Sequence, residues 1–259
     1  MIAEGDYGTF EGSASDQIVF GTYRQTGTWS PLLIELLTRH LFAGGPGTLI
    51  DVGANIGLVT IPVLDRTQAQ AFAFEPEPRN HARLRANVRR HALQSRVQSY
   101  QLALAAEAGL VSLALCEHNS GDHRLAFDSS VRDRTLVTVE ANTLDDVLGG
   151  RAPQTPVVMK VDTQGAEARV LRGAQRTLQF VDYLVIEYWP AGLLRMGNSA
   201  AELHELLLGF PYGAYLNQHV LPEQLVPTAA LLSALSFIAT DGSDEGFVDL
   251  LFSRHLLKF

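Results

Sequence analysis

Three short apolar runs constrain this chain more than anything else in it, because each ends in an acidic residue and each is followed by a helical pattern. The runs are Thr48-Leu49-Ile50-Asp51, Gln70-Ala71-Phe72-Ala73-Phe74-Glu75 and Pro156 to Asp162. Apolar runs of that length, bounded by glycine or proline, read as strands buried on both faces. The stretches that follow, after the glycine turn at 53–57, from Pro76-Glu77-Pro78 to about Leu93, and from Ala166 to Leu178, read as helices. Strand then helix, repeated, predicts an α/β fold: a doubly wound, Rossmann-like sheet, mostly parallel and covered on both faces. Such sheets bind ligands at the carboxyl ends of their strands. The three acids therefore stand where a ligand would.

The remaining pattern fits that frame. Val97 to Leu104 and Tyr183 to Glu187 read as further strands, and so do Leu110 to Cys116, Thr135 to Val139, Tyr212 to Leu216 and Phe247 to Phe252. Thr143 is placed to cap a short helix over 144–148, and 200–208 reads as another helix. Residues 1 to about 28 are polar, Gly-rich and without a clear period. Ser30-Pro31 then opens a helix, with Ser30 as its cap and Leu33, Leu36, Leu37 and Leu41 as its stripe. The predicted organisation is an N-terminal extension and helix over 1–45 and one domain over 46–259.

With 259 residues, 46% of them hydrophobic, the chain can bury a large core as one domain. Its net charge of -8 argues against a nucleic-acid partner, since no broad positive field is available to hold phosphates. No apolar run reaches the length of a membrane span and the N-terminus does not look like a signal peptide, so the expectation is a cytoplasmic protein. The single cysteine, Cys116, reads as a buried small hydrophobe. The basic helix with Arg79, Arg83, Arg85, Arg89 and Arg90 reads as a solvated face. Ala229 to Leu235 is either an interface or core, and the oligomeric state stays open.

The chemistry sits in three blocks. The first strand and turn read Leu49-Ile50-Asp51-Val52-Gly53-Ala54-Asn55-Ile56-Gly57. Glycines at 53 and 57 let the backbone turn sharply and approach a ligand. A dinucleotide fingerprint would need glycine at 51, 53 and 56. Asp51 would repel a pyrophosphate and suit a cationic ligand. Glu75, at the end of the next strand, is placed to accept hydrogen bonds from two ribose hydroxyls. Together the two acids describe an adenosyl site without phosphates. In the third block, Met159-Lys160-Val161-Asp162-Thr163-Gln164-Gly165-Ala166-Glu167, a lysine inside a buried strand needs partners. Residues 160 and 162 share a face, so Lys160 is expected to meet Asp162, or Glu187 at the end of the following strand.

These blocks, with Phe74-Glu75-Pro76 and Leu171-Arg172-Gly173-Ala174, resemble the FkbM-like methyltransferases of class I over roughly residues 48–190. That resemblance implies a seven-stranded sheet with an antiparallel last strand, S-adenosylmethionine as cofactor, and methylation of a hydroxyl on a sugar or natural product. The family more often has an acid where this chain has Gln164.

The cofactor set is then Asp51, Gly53, Ala54, Asn55, Gly57, Glu75, Pro76, Ala103 and Asp162. The catalytic set is Asp162, Lys160, Glu187 and His123. A hydroxyl acceptor must lose its proton, which calls for a base. Asp162 is the first candidate, and His123 and His118 follow because they flank a polar loop. No metal-ligand cluster is evident. Tyr188-Trp189 either stacks on an acceptor ring or packs in the core. The expected partner is a small-molecule or glycan acceptor. A nitrogen acceptor and a non-catalytic binding module are the alternatives, and a nicotinamide oxidoreductase is disfavoured by the glycine pattern.

Overall fold

The computed structural model describes residues 1–126, 134–151, 153–216, 219–235, 238, 246–257 and 259. The chain opens with a hairpin, β1 (Ile2–Gly5) and β2 (Gly8–Glu11), and two helices, α1 (Val19–Thr26) and α2 (Pro31–Glu35). Then come β3 (Thr48–Val52), α3 (Thr60–Asp65), β4 (Gln70–Phe74), α4 (Pro78–Arg90) and β5 (Val97–Tyr100). A second sheet interrupts the alternation, with β6 (Ala103–Leu104), β7 (Gly109–Leu115), β8 (Arg124–Leu125) and β9 (Thr135–Asn142). The alternation resumes with α5 (Leu144–Leu148), β10 (Val157–Val161), α6 (Glu167–Arg172), β11 (Tyr183–Tyr188), α7 (Pro190–Arg195) and α8 (Ala200–Leu207). The chain closes with β12 (Tyr212–Leu216), β13 (Val226–Pro227), α9 (Thr228–Ala234) and β14 (Val248–Ser253).

The main sheet runs in the order β13-β12-β14-β11-β10-β3-β4-β5. Neighbours from β11 to β5 are parallel, while β14 runs antiparallel between β11 and β12. Apart from the two-residue edge strand β13, this is the seven-stranded sheet with an antiparallel last strand.

Side chains alternate across the sheet with the two-residue period of a strand. Leu49, Ala71, Ala73, Val158, Val185 and Leu251 join one core cluster. Ile50, Phe72, Met159, Leu184, Ile186 and Leu250 join the other. The same alternation puts Asp51, Glu75, Lys160, Asp162, Glu187 and Asp249 on the first face, because each lies two or four residues from a member of the first cluster. Phe10, Phe20, Tyr23, Leu36 and Leu37 pack into that cluster, so the N-terminal segment covers the face that carries the charged groups.

Several expectations change here. The first 28 residues hold a hairpin and a helix; four-residue strands with a half-exposed pattern leave no period to read. Ser30 does not cap its helix: it sits at φ 46 with no side-chain cap bond, and the helix passes into a π-helical turn at Leu36–Leu41. The single strand predicted over 97–104 is two, since the chain leaves β5 for the second sheet at β6. The long helix over 166–178 is α6 followed by a 3₁₀ turn at Thr177–Phe180. Cys116 is half-buried rather than buried. Thr143 does cap α5, accepting from the Asp146 N–H at 3.0 Å. Leu231, Leu232 and Leu235 are core residues. Arg79, Arg85, Arg89 and Arg90 are exposed on α4. Among the described residues, no helix is long and apolar enough to cross a membrane.

Candidate active site

The glycine turn is built by close approach. Gly53 sits at φ 83, and a Cβ there would stand 2.0 Å from the Asp162 carbonyl oxygen. Only glycine lets the exits of β3 and β10 lie against each other. The Gly53 and Ala54 N–H groups donate to the Phe74 carbonyl at 3.0 and 2.9 Å, which brings the loop over the end of β4. The Asn55 N–H then donates to Glu75 Oε2 at 2.8 Å, and the Glu77 N–H to Oε1 at 2.9 Å. Glu75 is buried at the rim of a cleft, with neither lysine nor arginine paired to it among the described residues. Burial pushes its carboxyl up to about 8, and the charges of Glu77 and Asp51 add to the rise; the two backbone N–H bonds oppose it. Gly57, at φ 94, lies under the loop, where a Cβ would meet Leu84 and Ile61, and is not part of the cleft wall.

Lys160 has two carboxylate partners. Its Nζ is 3.4 Å from Asp51 Oδ1 and 3.4 Å from Asp162 Oδ2. Of the two partners expected for Lys160, Asp162 is the one it meets; Asp51, in register with it across β3 and β10, is the second, in place of Glu187. Burial lowers the lysine's pKa, but the attraction of Asp162 and Asp51 outweighs it, and the group is held above its ordinary value. Asp51 is also deeper than its strand-end position suggests. It is fully buried, accepts the Thr60 hydroxyl at 2.5 Å, and reaches the cleft only through Lys160.

Gln164 organises the other acids. It adopts φ 57, and its Nε2 donates to Asp162 Oδ1 at 3.2 Å and to both oxygens of Glu187, at 3.1 and 3.0 Å. An acid at this position could not donate to both neighbours. Burial raises the Glu187 carboxyl well above its usual range, and the charges of Asp162, Glu167 and Asp249 raise it further.

Asp249 completes the group and was missed in the sequence. It stands opposite Glu187 in the register of β11 and β14 and lines the cleft. Burial and the Asp162 charge push its carboxyl up to about 6 against the pull of Lys160. The available signal was an acid just inside the apolar run Phe247 to Phe252.

The second sheet and its loops supply the facing wall. His123 lines the cleft, but its Nδ1 accepts the Cys116 N–H at 3.0 Å and burial lowers its pKa, so the ring is neutral with one nitrogen engaged. His118 is exposed and outside the cleft. Arg134 and Arg124 both approach Asp122, and the Arg124 guanidinium lies 5.7 Å from the Trp189 ring centre. Trp189 lines the cleft, while Tyr188 is core and stacks on His204.

The cleft measures about 850 Å³. Gly53, Ala54, Asn55, Glu75, Pro76 and Ala103 line one part, and Lys160, Asp162, Gln164, Glu187 and Asp249 line another. Residues of the N-terminal segment, among them Ile18, Val19 and Trp29, close a third side. Among the described residues, no group of three or more His, Cys, Asp or Glu side chains could hold a metal ion.

A doubly wound sheet with its acids gathered at the carboxyl edge and an antiparallel strand set inside it is the class I methyltransferase architecture. Residues 51–212 match the methyltransferase FkbM domain, and the chain belongs to that family. It is 34% identical over 140 residues to the hexuronic acid methyltransferase AglP of Haloferax volcanii, a match that covers 54% of this chain and 54% of that protein. It is 30% identical over 197 residues to the 31-O-demethyl-FK506 methyltransferase FkbM of Streptomyces tacrolimicus, covering 65% of this chain and 70% of that one. The crystal structure of methyltransferase FkbM from Methylobacillus flagellatus shares the fold. It has a TM-score of 0.50 and 17% identity, and the match covers 80% of this chain and 43% of that one.

Proposed function

We propose that this protein transfers a methyl group from S-adenosylmethionine to a hydroxyl oxygen on a sugar or natural-product small molecule. Glu75 carries the proposal. Both of its oxygens are fixed by backbone N–H groups in the lining of the cleft, and among the described residues no lysine or arginine pairs with it. In its ionised form, which two donating hydroxyls favour, such a carboxylate suits a ribose and repels a phosphate. The donor set fits the cofactor in other respects. Phe74, Leu102 and Leu104 offer apolar wall beside Glu75, and Asp162 and Asp249 offer carboxylates to a cation further along. Two of the relatives are named for a hexuronic acid and for the 31-O position of FK506.

S-adenosylmethionine supplies the methyl on a sulfonium, with a neutral thioether as leaving group. The protein's own contribution is alignment and proton removal. The cleft walls hold the acceptor oxygen in line, worth about 7–11 kcal/mol for well-oriented groups. A carboxylate of the Asp162, Glu187 and Asp249 group takes the hydroxyl proton as the oxygen–carbon bond forms, worth roughly 10²–10⁴-fold. Lys160 and Gln164 hold two of those carboxylates in place, and His123 and Trp189 line the same cleft.

Titration calorimetry with S-adenosylhomocysteine and with NADH tests the reading. The homocysteine compound binds, NADH does not, and Glu75→Ala weakens binding about 10- to 100-fold, as loss of hydrogen bonds to a charged group does. Binding of NADH alone overturns the reading, and binding of neither moves the weight to a non-catalytic module.

A further inference from the structure

The N-terminal segment lies outside the family match, which begins at residue 51, yet hydrogen bonds through Ser120 tie it to Asn55 of the cofactor loop. Asp16 is 4% exposed. Its carboxylate accepts the N–H groups of Ile18, Val19 and Phe20 at 3.2, 3.0 and 3.1 Å, fixing the start of α1. It also accepts the hydroxyl of Ser120, in the loop between β7 and β8, at 2.6 Å.

Ser120 has one proton to give. The Asp16 carboxylate at 2.6 Å is a nearer acceptor than Asn55 Oδ1 at 3.2 Å and takes that hydrogen bond, so the serine oxygen is left to accept, and Asn55 Nδ2 donates to it at 3.0 Å. Asn55 is held at φ 50, and its backbone N–H is one of the two that fix Glu75. Asn55, Ser120 and Glu75 all line the cleft, whereas Asp16 does not. A carboxylate outside the cleft thus sets the direction of the two side-chain bonds that reach Asn55, whose backbone N–H holds the group assigned to the ribose.

We propose that Asp16 is a positioning residue for cofactor binding, acting through Ser120 and Asn55 on the loop that holds Glu75. The proposal rests on the reading of this cleft as an adenosyl site. A simple helix cap would explain the three N–H bonds to Asp16 but not the fourth, nor the donor direction it imposes on Asn55. Linkage makes the effect reciprocal: a ligand that favours the ordered loop also favours the docked N-terminal segment.

The test uses S-adenosylhomocysteine as probe on the full chain. Ser120→Ala leaves the three cap bonds of Asp16 intact and raises the dissociation constant roughly tenfold, the size expected for a lost hydrogen bond to a charged partner. Asp16→Ala has a similar effect alone and adds almost nothing in the Ser120→Ala background, although it lowers the melting temperature in both. In the wild type, the ligand slows deuterium exchange at the amides of residues 18–20, and in Ser120→Ala that slowing is lost. Independent, additive losses, or exchange at 18–20 that ignores the ligand, overturn the proposal while the cofactor reading stands. A wild type that does not bind the probe overturns both.

Discussion

Asp249 faces Glu187 across the antiparallel pair β11 and β14, so two carboxylates from neighbouring strands meet at one end of the cleft. Asp162 adds a third carboxyl to the same group, and Lys160 pairs with it. The sign of the stability effect follows from the raised pKa of Asp249. An unfolded aspartate loses its proton near pH 4, and the folded one does so at about 6. The fold therefore loses stability as pH rises between those values, and the loss is complete above them. Asp249→Asn should stabilise the protein at pH 8, by on the order of 1–3 kcal/mol, and leave it unchanged at pH 4. Urea unfolding at the two pH values reads the difference. A gain of that kind marks Asp249 as a residue kept for chemistry at the expense of stability.

Lys160 and Asp51 make the opposite kind of pair. Both are buried, at 5% and 0% exposure, so neither charge can turn to water. Lys160→Met leaves Asp51 buried with the Thr60 hydroxyl as its hydrogen-bond donor, and breaking such a pair costs about 3–5 kcal/mol. The double variant with Asp51→Asn removes both charges and should recover most of that loss. Chemical denaturation of the two variants checks this: a double variant no more stable than the single would show that the lysine acts by packing alone.

What the sequence disclosed follows from strand direction. Parallel strands bring their carboxyl ends to one edge, so Asp51, Glu75, Asp162 and Glu187 were legible as the last residues of apolar runs. Asp249 was not, because β14 runs the other way and meets the same edge near its start. Depth was not legible either. Asp51 and Asp162 both follow apolar runs, yet Asp51 lies behind Lys160 while Asp162 lines the cleft. The N-terminal hairpin escaped because Ile2–Gly5 and Gly8–Glu11 carry no apolar alternation. The tie of the following turn to the loop depends on Asp16 meeting Ser120 more than 100 residues away, which no local pattern encodes.

Two glycines with positive φ separate close approach from turn geometry. A Cβ at Gly53 would stand 2.0 Å from a backbone oxygen, and one at Gly150 would meet nothing within 4 Å. Gly150→Ala should cost only the left-handed backbone penalty, about 1–2 kcal/mol. Gly53→Ala must also push β3 away from β10, carrying Asn55 off Glu75. It should abolish S-adenosylhomocysteine binding in calorimetry, while Gly150→Ala binds as the wild type does.

Glu75 makes ligand binding and stability depend on pH in a sense opposite to most carboxylates. Its folded carboxyl titrates at about 8, because burial disfavours the charge, whereas the unfolded one titrates near 4.3. Between roughly pH 5 and 8 the unfolded chain has released this proton and the free folded protein has not. The group therefore lowers stability by about 1.4 kcal/mol for each pH unit climbed in that window. Glu75→Gln, which cannot ionise, should lack this slope, so its melting temperature gains on the wild type from pH 6 to pH 8. A ribose that donates to both oxygens favours the charged form, so binding at pH 7 must expel the proton. Calorimetry of S-adenosylhomocysteine in two buffers of different ionisation enthalpy should show release approaching one proton per site, and none in Glu75→Gln. Equal heats in the two buffers would mean that the carboxylate is already charged before the ligand arrives, with the two backbone N–H bonds alone outweighing its burial.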